Sequence, residues 1–403
     1  MEWIEGGVCA AKGFQAGAVH CGIKASQKKT DVALIVSDCC CAAAAVYTNN
    51  LVKAAPLHVT RSHLTDGRAQ AIIANSGNAN ACAPNGEKNA KREAKAAAKL
   101  LGLPEEEVLV ASTGVIGQEL PVACIEQELP QIQLSYDGSE QAAQAIMTTD
   151  TKMKTCAVQF ELNGTLCHLG GICKGSGMIH PNMGTMLCFL TTDAKIASNV
   201  LEQALRQVVR TTFNRVTVDG DTSTNDMCVV MANGLAGNPE LKTPSGAAYD
   251  SFFEALHAVT KQLAKRIAAD GEGASRLISC TVSGARNEQA AETLAKAICG
   301  SALVKTAMFG ADANWGRVLC AMGYSGEHFD AKEVSISFAS KAGSVTVCEK
   351  GRGIPFSEAQ AKQILSEDEV EICAALQEGS GSATCWGCDL TYGYVKINGD
   401  YRT

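Results

Sequence analysis

The chemistry-bearing stretch of this chain is a glycine-rich run that ends on a threonine. It reads Gly170-Gly171-Ile172-Cys173-Lys174-Gly175-Ser176-Gly177-Met178-Ile179-His180-Pro181-Asn182-Met183-Gly184-Thr185-Met186-Leu187. A threonine hydroxyl is a weak nucleophile near neutral pH and needs a base beside it. If the peptide bond before Thr185 is cut, the freed α-amine titrates near the working range and supplies that base from the same residue. Gly184 has no Cβ, which leaves its carbonyl open to the Thr185 hydroxyl for an N-to-O acyl shift. A Gly-Thr junction also describes many ordinary loop-to-strand entries, so the pair acquires meaning only from its context.

Other candidates point away from metal or redox chemistry. Cys385-Trp386-Gly387-Cys388 is a CxxC, but no second CxxC or HxxxH accompanies it to complete a zinc site. It reads as two core or semi-exposed thiols. Asp219, Asp221 and Asp226 lack the spacing and closing Glu of a calcium loop and read as turn and helix-capping residues. The seven histidines show no ligand spacing, and His180 receives no catalytic role. No metal and no organic cofactor are expected.

The elements that must position the threonine are mixed. Helical periodicity runs through 87–101, 199–213 (Val200, Leu201, Leu205, Val208, Val209, Phe213), 247–268 (Phe252, Phe253, Leu256, Val259, Leu263, Ile267), 287–299 and 357–365. Strands are expected at 71–74, 157–162 and 227–231, and a hairpin at 334–338 and 344–347. Strands and helices do not alternate strictly, which favours an α+β layered architecture over a doubly wound sheet. The glycines and Pro181 suggest an irregular, tightly turned approach to Thr185, which then leads an apolar strand. Cys39-Cys40-Cys41 follows an apolar run, and adjacent cysteines on a strand face opposite ways.

Bulk composition narrows the function classes. The chain has 403 residues, 46% hydrophobic, with a formal net charge of -7 and no Lys/Arg stripe, so no nucleic-acid partner is expected. No apolar run reaches the roughly 20 residues of a membrane span. The N-terminal residues show no signal-peptide pattern, so a cytoplasmic protein is expected. Nineteen cysteines, an odd count in a long chain, read as reduced and mostly buried thiols.

The run around Thr185 resembles the signature of the ornithine acetyltransferase family, Lys-Gly-Ser-Gly-Met-Ile-x-Pro-Asn-Met-(small)-Thr-Met-Leu. It matches at Lys174 to Ile179 and at Pro181 to Leu187, with Gly184 where the family more often has Ala. Further similar segments are Asn75 to Cys82, Ser112 to Gly117, Asp219 to Asp226, Gly271 to Ala274, Phe309 to Arg317 and the tail Ile397 to Thr403. The resemblance implies an α/β sandwich of the ornithine acetyltransferase and related self-processing aminopeptidase type. It implies a cut between Gly184 and Thr185, giving an α chain, 1–184, and a β chain, 185–403, that fold together as at least an α2β2 heterotetramer. The implied reaction is ping-pong transfer of acetyl from N2-acetylornithine to glutamate through acetyl-Thr185. Acetyl-CoA as a second acetyl source is left open.

By the same resemblance Thr113 and Gly114 form the oxyanion hole. The substrate is contacted by Thr148 or Thr149 (Thr148 slightly preferred), Lys174, Thr185, Glu272, Asn398 and Thr403. The competing readings are a self-processing amidohydrolase or aminopeptidase, in which water resolves the acyl-enzyme, and a catalytically inactive binding relative.

Overall fold

The computed structural model describes residues 1–24, 26, 29–180 and 186–399. Gly184, Thr185 and Thr403 lie outside the described residues.

Among the described residues two mixed sheets organise the chain. The larger has the order Glu2–Ile4, Lys154–Leu162, Thr165–Lys174, Leu187–Thr192, Met227–Ala232, Val32–Tyr47, Arg68–Asn78, Val108–Val115, with Phe14–Val19 also paired to Val32–Tyr47. The smaller runs Arg352–Gly353, Gly343–Glu349, Ser335–Ser340, Glu369–Ala375, Leu277–Ala285, Gly381–Cys388, Val216–Thr217. Helix Ala247–Ala269 touches strands of both sheets. Its Phe252, Leu256, Val259 and Leu263 share one core with Val158, Phe160, Leu190 and Val230 of the larger sheet and Leu277 and Trp386 of the smaller. Helix Ser198–Thr211 adds Leu201, Leu205 and Val208 to that core, as its apolar stripe requires. The layered α+β architecture follows from this stacking.

The five periodic segments all form helices, with ends within about two residues of the expected ones. The glycine-rich approach departs from expectation in its first half. Residues Thr165–Lys174 form a regular strand rather than an irregular loop. Gly170 and Gly171 are required there by packing. A Cβ on Gly170 would sit 2.0 Å from the Gly7 carbonyl oxygen, and one on Gly171 would sit 2.5 Å from Leu190 Cδ2. The irregular path begins at Gly175.

The halves on either side of residue 184 interlock in one sheet. Strand Leu187–Thr192 lies between Thr165–Lys174 and Met227–Ala232, and the latter pairs antiparallel with Val32–Tyr47. Backbone ladders therefore hold the halves together independently of the peptide bond between them.

The cysteines are free thiols. Cys385 and Cys388, three apart on one strand, fall into cores on opposite faces and cannot pair.

Helix Gly86–Leu101 packs Ala90, Ala94 and Ala97 against Leu34, Ile73 and Val110. Within this layer Glu93 is fully buried and neither carboxylate oxygen has a partner. Burial pushes its carboxyl well above the usual range. A carboxyl raised in the folded state stabilises fully below its unfolded value, and that contribution is lost as pH rises towards the folded value. Glu93→Gln is therefore expected to gain stability relative to wild type between about pH 5 and about pH 8, by about 1–3 kcal/mol. Urea unfolding at the two pH values checks this; a difference independent of pH would contradict it.

Candidate active site

Three segments that are remote in sequence are tied together by two buried carboxylates that share one lysine. Asp150 accepts hydrogen bonds from Lys154 Nζ at 2.7 Å, the Gly175 N–H at 2.7 Å and the Thr148 N–H at 3.1 Å. Lys174 Nζ stands 3.8 Å from its other side. Burial alone would raise the Asp150 carboxyl, but Lys174, Lys154 and the Gly175 N–H override it and hold it well below the usual carboxylate range. Lys154, itself buried, also donates to Asp270 at 2.6 Å. Asp270 accepts the backbone N–H of Thr151 at 3.0 Å, and its carbonyl accepts the Ser176 hydroxyl at 2.6 Å. The Glu272 N–H then bonds the Ser176 carbonyl at 2.9 Å. This network fixes 148–151, 174–177 and 270–273 relative to one another.

Glu272 is set by close backbone approach. A Cβ on Gly177 would lie 2.3 Å from its carboxylate, so a side chain there would displace the carboxylate from its present position. Asn398 donates to Glu272 Oε2 at 2.7 Å from helix Tyr392–Gly399. The C-terminal tail is thus held on the site up to Gly399 rather than frayed. Gly273, at φ +70, packs directly on the Gly393–Tyr394 backbone, and Thr391 donates to its carbonyl at 2.6 Å.

The approach to residue 185 is pinned by the loop that precedes strand Met227–Ala232. Asp219 accepts the N–H groups of Met178 at 2.6 Å and Ile179 at 2.9 Å. Thr222 donates to the His180 carbonyl at 2.7 Å. Asp219 thus fills the turn role expected of it, accepting the Asp221 N–H at 3.3 Å, but instead of capping a helix it serves the orphan N–H groups of the glycine-rich approach. His180 Nδ1 lies 3.0 Å from Thr217 Oγ1, and burial pushes its imidazole down to about 4, so it serves as a neutral anchor. Asn225 donates to the carbonyls of Ala79 at 2.6 Å and Ser112 at 2.8 Å, joining this loop to the strand that carries Thr113.

Thr113 and Gly114 lie near the end of strand Val108–Val115. Gly114, at φ +134, presses on the Gly77–Asn78 backbone, where any Cβ would meet Gly77 C at 2.3 Å. The backbone is held at this point by that close approach.

All these parts open on one cavity of about 120 Å³. Of the residues expected from the sequence, Thr113, Gly114, Thr148, Lys174, Glu272 and Asn398 line it. Thr149 lines it as well. Met186, covalently joined to Thr185, lines it too. Four residues were not foreseen. Asp150 organises the site, Asn225 bridges it, and Ser223 and Asp226 form part of its wall. Asp150 follows the Thr148-Thr149 pair, and the others sit in the polar run 219–226, a segment that resembles the family but was given no role in the site. Among the described residues no group of three or more His, Cys, Asp or Glu is placed to hold a metal ion.

Comparisons with known proteins identify the family. The sequence model of the ArgJ family matches residues 15–403. The chain is 51% identical over 407 aligned residues to the arginine biosynthesis bifunctional protein ArgJ of Symbiobacterium thermophilum, covering 100% of both. It is 48% identical over 406 aligned residues to the protein of the same name from Caldanaerobacter subterraneus subsp. tengcongensis, again covering 100% of both. The crystal structure of arginine biosynthesis bifunctional protein argJ from Bacillus halodurans matches with a TM-score of 0.50 at 48% identity. That match covers 52% of this chain and 97% of the solved one.

Asp150→Asn removes one of the two anions that balance buried Lys154. It is expected to cost about 3–5 kcal/mol in urea unfolding, as breaking a buried pair from one side does. A carboxyl held low in the folded state stabilises above its unfolded value, near 3.9, and that contribution is lost as pH falls through the folded value. The wild type should therefore lose this advantage only below about pH 4. Equal stability of the two proteins at neutral pH would show that the network is dispensable.

Proposed function

The chain belongs to the ArgJ family, and from that premise we propose that it is a self-cleaving acyltransferase that moves acetyl from N2-acetylornithine to glutamate through acetyl-Thr185. The observation that carries this reading is the single cavity in which Thr113, Gly114, Lys174, Glu272 and Asn398 converge on Met186, the residue joined to Thr185.

Cleavage before Thr185 gives it an α-amine. That amine takes the hydroxyl proton, and Oγ attacks the acetyl carbonyl. The Thr113 hydroxyl and Gly114 N–H receive the oxyanion. Ornithine leaves, the α-amine of glutamate attacks acetyl-Thr185, and N-acetylglutamate departs. The covalent intermediate carries the acetyl group, so the reaction requires no metal or organic cofactor.

Glu272, steadied through one oxygen by Asn398, receives the substrate ammonium. Lys174, loosely paired at 3.8 Å, holds a substrate carboxylate or keeps the Thr185 amine neutral. Thr148, with Thr149 beside it, and Thr403 complete the contacts.

The halves 1–184 and 185–403 remain one unit through their shared sheet. The Bacillus halodurans chain, about half the length of this one, supports a cut near the middle. Assembly is as an α2β2 heterotetramer. The relatives' name, bifunctional, supports a second activity here, synthesis of N-acetylglutamate from acetyl-CoA and glutamate. Among the described residues no helix is long and apolar enough to cross a membrane, and the protein is assigned to the cytoplasm.

Thr185→Ala is expected to abolish ornithine release. Glu272→Ala removes a charge-assisted contact of about 1.5–3 kcal/mol and should raise KM for N2-acetylornithine roughly 10- to 100-fold. Steady-state ornithine release with glutamate present measures both. An unchanged KM would remove Glu272 from substrate binding, and acetate release indifferent to glutamate would make the protein a hydrolase.

A further inference from the structure

The self-cleavage poses a problem that the acetyl transfer does not. Before the cut, residue 185 carries a peptide nitrogen, which has no basicity. The nucleophile cannot yet serve as its own base, and the departing nitrogen must still gain a proton. Another group has to move that proton.

Asp226 is placed for it. The carboxyl is 2% exposed, lines the cavity, and leaves Oδ2 without a hydrogen-bond partner. It stands immediately before strand Met227–Ala232, which runs parallel to Leu187–Thr192 with Met227 opposite Leu187. The Met227 N–H bonds the Met186 carbonyl at 2.8 Å. The ladder thus seats Asp226 beside Met186, one covalent step from Thr185.

Two other ionisable groups share this wall. Lys174 faces Asp150, and Glu272 is bonded to Asn398. Burial pushes the Asp226 carboxyl well above the usual range, against the opposing pull of Ser223 and Lys174. A neutral carboxylic acid both accepts a proton and donates one.

We propose that Asp226 is the proton relay for cleavage before Thr185: one oxygen takes the Thr185 hydroxyl proton while its own O–H protonates the departing peptide nitrogen. The bond between Thr185 Oγ and the Gly184 carbonyl carbon forms. The Gly184–Thr185 C–N bond breaks, its electron pair stays on nitrogen, and Asp226 ends as it began. Water then adds to the ester and leaves a Gly184 carboxylate and a free Thr185 hydroxyl. This inference rests on the self-cleavage proposed above.

The test follows the full-length chain after cell-free synthesis by denaturing intact mass over time. Wild type, Thr185→Ala, Asp226→Asn and Asp226→Glu are compared, with thermal midpoints read against the uncut Thr185→Ala chain. Asp226→Asn keeps the size and neutrality of the group but cannot relay, and should cut on the order of 100-fold more slowly. Asp226→Glu retains the acid one methylene further out and should fall between it and wild type. Asp226→Asn cut at the wild-type rate overturns the relay, and so does a folded Asp226→Glu chain no faster than Asp226→Asn. If Asp226→Asn does not fold, Asp226→Glu cut faster than Thr185→Ala carries the proposal, and Asp226→Glu folded but uncut overturns it. A wild-type chain that stays whole refutes self-cleavage itself.

Discussion

The site depends on a buried cation shared between two carboxylates. Lys154, with its ammonium between Asp150 and Asp270, has almost no contact with water. Such a group is tolerated only when it is paired and hydrogen-bonded, so the two aspartates must come to it. In doing so they bring along the segments that follow them. Asp150 holds the Gly175 N–H and faces Lys174; Asp270 places Ser176 and leads directly to Glu272. A requirement of electrostatics in the interior thus becomes the geometry of a binding cavity. Glycines complete it at close approaches, Gly177 under the Glu272 carboxylate and Gly114 on the Gly77 backbone.

The same sheet that forms the core reconciles cutting with folding. Strand Leu187–Thr192 begins just after the site of the proposed cut and is hydrogen-bonded on both edges. Losing one peptide bond at its entrance removes none of those ladder bonds. The strand is anchored from Leu187 onward, and the loop 217–222 grips the approach as far as His180. The reacting bond lies between two fixed ends, which suits a reaction that must bring a hydroxyl to the preceding carbonyl.

Long helices and the apolar strand 227–231 were legible because a buried face imposes a period, and periods survive in sequence. The short helices Ala55–His63, Ala302–Phe309 and Trp315–Gly323 were not read from the sequence, although Glu358–Leu365, equally short, was. The strand Thr165–Lys174 was hidden by Gly170 and Gly171, which read as loop residues but are there for tight packing. Most of the candidate site came from motif resemblance and not from spacing. Thr113, Lys174, Glu272 and Asn398 are far apart in sequence and meet only through the fold. Asp150 and Asp226 had no spacing to mark them, since an isolated aspartate acquires its role from burial and neighbours. Asp219 has the turn role read for it, and it holds the approach loop instead of capping a helix.

The most direct test of the central claim is a denaturing intact-mass spectrum of the purified protein, quenched after mixing with N2-acetylornithine in the absence of glutamate. The account predicts two chains, 1–184 and 185–403, with one acetyl group added to the second and lost again when glutamate is supplied. An uncut chain, or ornithine released while 185–403 carries no acetyl group, would contradict it.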